Sequence, residues 1–269
     1  MRPSLRVVTL NIWNRSGPWT ERRAAIRAGL KALQPDVIGL QEVVRATEGD
    51  LLDQAAELAE GLGYHVAFGR APGDRGYPFG NAILSRWPIT QTDVFPLPRG
   101  GTEEYRNVLF AEIAAPFGAL PFFTTHFNWK LHEGNVRALQ IREVTARVKK
   151  HAPTNGFPPI VTGDFSAEPE ADEMRFMRGL TSLGGEGVYF ADAFLAAGDG
   201  SRGETFCKRN PFAAPMREPD RRIDYVFVRG PDDRGRGEVL DAKVCFDAPV
   251  DGVFPTDHFG VVATISTGG

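Results

Sequence analysis

The chain has 269 residues, of which 42% are hydrophobic and 24% are charged, so it is long enough to bury a large core without a metal or disulfide framework. Its formal net charge of −3 argues against a strong sequence-independent nucleic-acid binder, although a local basic patch stays compatible with that charge. The two cysteines, Cys207 and Cys245, are too few for a disulfide framework and are predicted to be reduced, partly buried thiols.

The sequence enters an apolar strand at Leu5 without a secretory leader, and no apolar run approaches membrane-spanning length. We therefore expect a soluble, cytoplasmic protein, monomeric and without stable membrane insertion.

The N-terminal third alternates short apolar runs with amphipathic helices. Ile26, Leu30 and Leu33 fall on one helical face, and Pro35 ends that helix. A second apolar stripe runs to Leu62 and ends at glycines. The predicted order is strand Leu5–Ile12, helix Trp19–Leu33, strand Val37–Leu40 and helix Gly49–Leu62.

The remainder of the chain contains more strands than helices. The predicted strands are His65–Phe68, Asn81–Ser85, Asn107–Ala114, Leu120–Phe127, Ile160–Asp164, Ile223–Val228, Val239–Phe246 and His258–Ile265, and the predicted helices are Glu133–His151 and one near Glu170–Leu180. Hairpin-like strand pairs mixed with helices favour two packed mixed sheets with helices outside, in a single domain over residues 1–269. The long segment Gly198–Pro219 is predicted to be either functional or disordered.

Polar residues stand at the ends of several of these apolar strands, where a sheet presents side chains at its rim. Each alone is a weak signal, because a strand-end Asp or Asn is more often a turn former. Together they form a set that can carry chemistry: Asn11, Glu42, His126, Asp164, Asp224, Asp257 and His258.

The order and local context of these residues resemble the endonuclease/exonuclease/phosphatase superfamily, which includes pancreatic-type deoxyribonucleases, abasic-site endonucleases, inositol polyphosphate 5-phosphatases and neutral sphingomyelinases. The specific motifs are Gln-Glu-Val at 41–43, Gly-Asp-Phe at 163–165 and Thr-Asp-His-Phe-Gly at 256–260. The segments 80–86 and 105–107 also look like family segments. The resemblance covers Thr9 to Val262 and implies a four-layer α/β/β/α sandwich.

The resemblance also implies roles for these residues. Glu42 would hold Mg²⁺ or Mn²⁺, with Asn11 as a carbonyl ligand or water-holder, because hard cations prefer oxygen ligands. Asp257 either reaches the metal or caps the turn before the final strand. The residues that the resemblance assigns to catalysis are Asp164, which orients or deprotonates water, His258 paired with Asp224, His126 facing phosphate, and Asn128 beside it.

Two arginines are candidates for substrate binding. Arg106 lies in one of the family-like segments, and Arg222 follows Arg221 just before the Asp224 strand. The Arg221–Arg222 pair could meet a substrate phosphate or form an ordinary solvated charge pair.

One position departs from the family pattern: Ser166 stands where the family usually has Asn after Gly-Asp-Phe. Serine has one hydroxyl donor and cannot copy the two donors of an amide. Ser166 could work through a water, a neighbour could substitute, or the protein could be slow or inactive. The sequence thus predicts a divalent-metal-dependent phosphoester hydrolase, first a phosphodiesterase on a small-molecule or lipid-headgroup substrate, with a DNA or RNA nuclease and a catalytically silent binding module as alternatives.

Overall fold

The computed structural model describes residues 3–46, 52–73 and 78–268. Helix α1 (Trp19–Leu33) has the predicted bounds, and its C-cap is Gln34, whose φ of 47° is left-handed, directly before Pro35. The second predicted helix is shorter than expected and begins only after Asp53 caps it through the Ala56 N–H, while 49–51 lie outside the described residues. The described elements run β1 (Ser4–Asn11), α1 (Trp19–Leu33), β2 (Val37–Ala46), β3 (Leu52–Asp53), α2 (Gln54–Ala59), β4 (His65–Arg70), β5 (Phe79–Ser85), β6 (Ile89–Pro96) and β7 (Asn107–Ala115).

The C-terminal half continues with strands that are mostly buried. The predicted helix near 170–180 is shorter than expected. The sequence did not predict β3, β6, the short strand at 191–192 or the short helix at 193–197. The order is β8 (Gly118–His126), α3 (Gly134–His151), β9 (Ile160–Asp164), α4 (Asp172–Met177), β10 (Ala191–Asp192), α5 (Ala193–Ala197), a 3₁₀ turn (Ala214–Met216), β11 (Asp224–Val228), β12 (Val239–Cys245) and β13 (Gly260–Ser266).

The strands form two mixed sheets. The first has the order β12-β13-β1-β2-β5-β4, with the short β3 paired to β2, and the second has the order β10-β11-β9-β8-β7-β6. Each sheet contains one parallel pair near its centre, β1 with β2 in the first and β8 with β9 in the second. The other pairings within these two orders are antiparallel.

Three apolar clusters define four layers. The largest lies between the sheets, where Val7 and Val37 of the first sheet and Leu109 and Phe122 of the second share one core. A second cluster joins α1 and α2 to the first sheet, and a third joins α3 and α4 to the second. The α/β/β/α sandwich predicted from the sequence is therefore confirmed. Within the described ranges, no helix combines the length and the apolar character that crossing a membrane requires.

Candidate active site

The predicted site residues meet where the two parallel strand pairs end. Asn11 at the end of β1 lies beside Gln41 of β2, and His126 at the end of β8 lies beside Asp164 of β9. Because parallel neighbours deliver their carboxyl ends to one edge, each sheet brings polar side chains to the same rim. The two rims face each other, and Asn11 Nδ2 of the first sheet lies 3.0 Å from Asp164 Oδ2 of the second.

A local irregularity in β2 places Glu42. The register of β2 against β5 shifts between Leu40 and Val43, and Glu42 has a left-handed φ of 58°. Such a bulge re-aims a side chain at the cost of some backbone strain. The preceding residue, Gln41, is fully buried and donates to Thr124 Oγ1 across the two sheets at 2.9 Å. Glu42 is thereby turned into the cavity between the rims.

Asn11 binds both acidic groups through its amide nitrogen. Its Oδ1 accepts a hydrogen bond from the Trp13 N–H at 2.9 Å, which fixes the orientation of the amide. Its Nδ2 therefore faces Glu42 Oε1 at 3.3 Å and Asp164 Oδ2 at 3.0 Å. In this arrangement Asn11 orients the two carboxylates, and its role as a carbonyl ligand or water-holder for a cation stays a prediction.

Asp164 is a buried carboxylate surrounded by hydrogen-bond donors. Burial disfavours its charge, but the imidazoles of His126 and His258 and its hydrogen bonds outweigh that effect and hold its pKa at about 2. Ser166 contributes two of those contacts, with its N–H at 2.8 Å and its hydroxyl at 3.1 Å from Oδ1. Asp164 is therefore ionised at any physiological pH, and the Ser166 hydroxyl donates to it.

His258 and Asp224 form a buried pair. His258 Nδ1 lies 2.9 Å from Asp224 Oδ2, although 34 residues separate them. Burial works to lower the pKa of His258, but three nearby carboxylates, that of Asp224 first, raise it well above its usual value. His258 is thus an imidazolium at neutral pH, with Nδ1–H donated to Asp224. Its Nε2 lies 3.7 Å from Asp164 Oδ2.

His126 reaches the same carboxylate from the second sheet. Arg106 Nη1 lies 3.0 Å from His126 Nδ1. A guanidinium has donors only, so Nδ1 must accept, and the neutral ring carries its proton on Nε2. That nitrogen lies 3.4 Å from Asp164 Oδ2. Two imidazole N–H groups therefore converge on the side of Asp164 that faces the cavity.

The carboxylates of Glu42 and Asp257 suit a divalent cation. Both residues line the cavity, and burial followed by the charge of Glu42 raises the pKa of Asp257 to about 7. A divalent cation bound by these two oxygen ligands would stabilise both carboxylates in their charged form. A second group able to hold a metal ion occurs in the described part of the chain: Asp164, Asp224 and His258 offer ligand atoms that all lie within 4.8 Å of one another.

The cavity between the rims has a volume of about 270 Å³ and a lining that is partly apolar. Trp129 and Met216 at its mouth are 42% and 54% exposed, which is high for large apolar side chains. The segment predicted to be functional or disordered is ordered here, because Phe206 pairs with Arg221 and Phe212 packs on Trp13 at 5.0 Å between ring centroids. The apolar lining consists of Trp13, Phe79, Trp129, Phe206, Met216 and Ile223.

Two predicted site residues, Asn128 and Arg222, neither line this cavity nor form a side-chain hydrogen bond to a residue that does. The Asn128 side chain turns towards α3, donates to Glu133 Oε2 at 2.9 Å and accepts from Gln140 Nε2 at 2.8 Å, so it stabilises the turn after β8. Arg222 forms an ion pair with Asp192, in which Nη1 donates to Oδ1 at 2.9 Å and Nη2 lies 2.9 Å from Oδ2. Its neighbour Arg221 lines the cavity instead.

Asn14 was not predicted from the sequence as a site residue, but it lines the cavity and donates to Glu42 Oε2 at 2.8 Å. Its position three residues after Asn11, in a Gly- and Ser-containing loop, gave no sign of that contact. Glu42 is therefore held from both sides by amides, with Asn11 on Oε1 and Asn14 on Oε2.

Solved structures share this fold. An endonuclease/exonuclease/phosphatase from Beutenbergia cavernae superimposes with a TM-score of 0.75 at 27% identity, over 100% of this chain and 72% of that one. The human Nocturnin catalytic domain with bound sulfate gives 0.73 at 21% identity, over 98% and 93%. A humanized TDP2 from D. rerio gives 0.73 at 19% identity, over 98% and 99%. The last two likenesses show the fold alone.

The sequence itself matches the model of one protein family from residue 8 to residue 258, a span that begins in β1 and ends at His258. That span includes the strand ends that form the cavity. The chain belongs to the Endonuclease/Exonuclease/phosphatase family, whose members are phosphoester hydrolases.

Proposed function

We propose that this protein is a divalent-metal-dependent phosphodiesterase that acts on a small organic or lipid-headgroup phosphodiester. The observation that carries the proposal is the convergence of Glu42, Asp164 and two histidines on one cavity from two different sheets. A phosphodiester repels an attacking water, so its hydrolysis needs positive charge, an oriented water and donors for the developing negative charge. The cavity offers a group for each requirement.

Glu42 and Asp257 are the residues we propose to hold Mg²⁺ or Mn²⁺, with Asn11 and Asn14 fixing the Glu42 carboxylate. When bound, the cation would polarise a phosphoryl oxygen as a Lewis acid. Both carboxylates are partly exposed to the cavity, so a substrate phosphate can approach them.

Asp164 is proposed to orient the attacking water. A carboxylate with a pKa of about 2 is a weak base, so orientation suits it better than proton abstraction. The His258 imidazolium and the Nε2–H of His126 are donors for the non-bridging phosphate oxygens. In the reaction the water oxygen bonds to phosphorus and the ester P–O bond breaks. The His258 imidazolium gives its proton to the leaving alcohol, and the proton that the attacking water loses restores the imidazolium through solvent.

The apolar part of the cavity lining favours a small organic substrate over nucleic acid. An exposed Trp129 and Met216 would cover an uncharged organic group beside the phosphate. The cavity arginines have acidic neighbours, Arg106 with Glu104 at 3.5 Å and Arg221 with Glu218, which reduces the attraction for a polyanion. The net charge of −3 acts in the same direction.

A metal-dependent activity panel tests the proposal. Bis(p-nitrophenyl) phosphate, glycerophosphodiesters, sphingomyelin, plasmid DNA, an abasic duplex and inositol phosphates would be compared with Mg²⁺, Mn²⁺ or EDTA. We expect EDTA-sensitive hydrolysis of a small or lipid-headgroup diester and much slower cleavage of DNA. Preferential cleavage of DNA would establish the nuclease alternative, and inactivity on every phosphoester with every metal would favour a silent binding module.

A further inference from the structure

Arg22 of helix α1 is the largest fully buried side chain among the described residues, with no exposed surface. Within that part of the chain it forms no ion pair within 4.0 Å, although burying a guanidinium without a carboxylate partner is costly. Its ring contacts are Trp13 and Trp19, whose centroids lie 5.0 and 5.3 Å away. A buried cation in such a place needs another set of partners.

Those partners are backbone carbonyl groups. The five N–H groups of the guanidinium make six contacts of 2.8 to 3.3 Å with carbonyl oxygens, so one N–H is shared between two of them. Five of the contacts go to the loop that leaves β1, and one goes to a distant turn. The accepting carbonyls are those of Ile12, Trp13, Asn14, Ser16 and Pro255. Arg22 thus links two segments that are far apart in the sequence, since Ser16 and Pro255 are 239 residues apart.

Both segments carry residues of the cavity. Trp13 and Asn14 have left-handed φ values of 55° and 41°, a conformation that persists only where the surroundings impose it. Asn14 donates to Glu42 Oε2 at 2.8 Å, and Pro255 stands two residues before Asp257. Arg22 therefore binds the backbone of the residue that holds Glu42, and it binds a second carbonyl two residues before Asp257.

We propose that Arg22 is a positioning residue for the cation site, which holds the strained Trp13–Ser16 turn so that Asn14 keeps the Glu42 carboxylate in its binding orientation. This inference rests on the proposed function, because it assumes that Glu42 binds a divalent cation. Lysine cannot replace arginine here, since three donors on one ammonium cannot span carbonyls on two separate segments. Partners that orient a metal ligand commonly change metal affinity by about 10- to 100-fold.

Helix α1 offers a matched control in Arg27. It also donates to backbone carbonyls, those of Glu57, Leu58 and Glu60, but these belong to the end of α2 and not to the cavity. Arg22→Lys and Arg27→Lys therefore both remove arginine–carbonyl bonds from the same helix. Only the first is expected to change the cation site.

The experiment measures Mn²⁺ dissociation constants by electron paramagnetic resonance, on proteins shown by circular dichroism to be folded. We expect Arg22→Lys to bind Mn²⁺ about tenfold more weakly than wild type, and Arg27→Lys to stay within about twofold. Asn14→Ala should reproduce the loss, and the Arg22→Lys/Asn14→Ala double variant should lose little more, because both changes break one chain of contacts.

Wild-type affinity in Arg22→Lys, an equal loss in Arg27→Lys, or additive losses in the double variant would overturn the inference while leaving the proposed function intact. If Arg22→Lys does not fold, Asn14→Ala decides alone, and an unchanged affinity there overturns the inference. A wild-type protein that neither binds Mn²⁺ nor hydrolyses any diester would overturn both proposals together.

Discussion

The carboxylate of Asp257 is held in the cavity at a cost to stability that a cation should relieve. Its pKa rises from 3.8 to about 7, through burial first and the neighbouring charge of Glu42 second, and its hydrogen-bond donor in the same segment is the Thr256 hydroxyl at 3.1 Å. The folded state therefore favours the neutral acid. The isosteric Asp257→Asn variant removes the charge while keeping the shape of the side chain.

The magnitude follows from linkage. Because the folded-state pKa is raised, the contribution of Asp257 to stability is full below pH 3.8 and is lost as the pH rises through 7. A shift of that size lowers the free energy of unfolding by about 4 kcal/mol at pH 8 and by about 2 kcal/mol at pH 5, relative to the protein below pH 3.8. Part of the side chain faces the cavity and is screened by water, so we expect about half of these values.

Urea unfolding in EDTA measures this effect. We expect Asp257→Asn to raise the free energy of unfolding by about 2 kcal/mol at pH 8, and by less at pH 5. Asp251→Asn is the control, because Asp251 is exposed in the same loop and asparagine tolerates its left-handed φ of 50°. A variant that is unchanged or destabilised at pH 8, or a difference that does not shrink at pH 5, would refute the reasoning.

Three further changes test the roles of individual groups. Ser166→Asn should raise kcat on bis(p-nitrophenyl) phosphate about tenfold, because the left-handed φ of 50° accommodates asparagine and the amide adds a donor that the serine hydroxyl, committed to Asp164, does not offer. Asp224→Asn should lower the pKa of His258 and move the alkaline limb of the kcat/KM profile down by about one pH unit or more. Trp129→Ala should raise KM for bis(p-nitrophenyl) phosphate about tenfold and change KM for dimethyl phosphate little, because only the aryl group can cover the exposed indole.

Each of these changes has an outcome that would count against its assignment. Unchanged or lower turnover in Ser166→Asn would mean that the cavity already supplies the donor or that the substrate occupies the space. If the alkaline limb stays in place in Asp224→Asn, the ionisation of His258 does not control the reaction. If KM changes equally for the aryl and methyl esters in Trp129→Ala, the indole does not recognise the aryl group of the substrate.

The fold was predictable because apolar runs mark buried strands, and most of the buried strands were located from the sequence. The edge strand β6 was missed because it pairs with β7 alone and alternates between half-buried and exposed positions, so Ile89–Pro96 lacks a continuous apolar run. Strand β2 was predicted to stop at Leu40, but pairing with β5 resumes beyond the bulge as far as Val44, and pairing with β3 extends the strand to Ala46.

Side-chain direction limited the prediction of the site. Asn128 and Arg222 stand beside site residues in the sequence, yet the first turns into a network with α3 and the second forms a fork with Asp192. The contact between Asn11 and Asp164 spans 153 residues and depends on the packing of two sheets. Strand-end chemistry is visible in a sequence, whereas such contacts exist only after the sheets have packed.

The central claim is that Glu42 holds the cation on which hydrolysis depends. The most direct test compares Mg²⁺-dependent hydrolysis of bis(p-nitrophenyl) phosphate by wild type and Glu42→Gln at saturating Mg²⁺, with circular dichroism to show that both are folded. Glutamine keeps the size of the side chain and removes its charge, and a catalytic cation supplies several kcal/mol of transition-state stabilisation. We predict EDTA-sensitive hydrolysis by wild type and a loss of more than about 100-fold in Glu42→Gln; retention of more than about a tenth of the activity would contradict the claim and place the cation elsewhere.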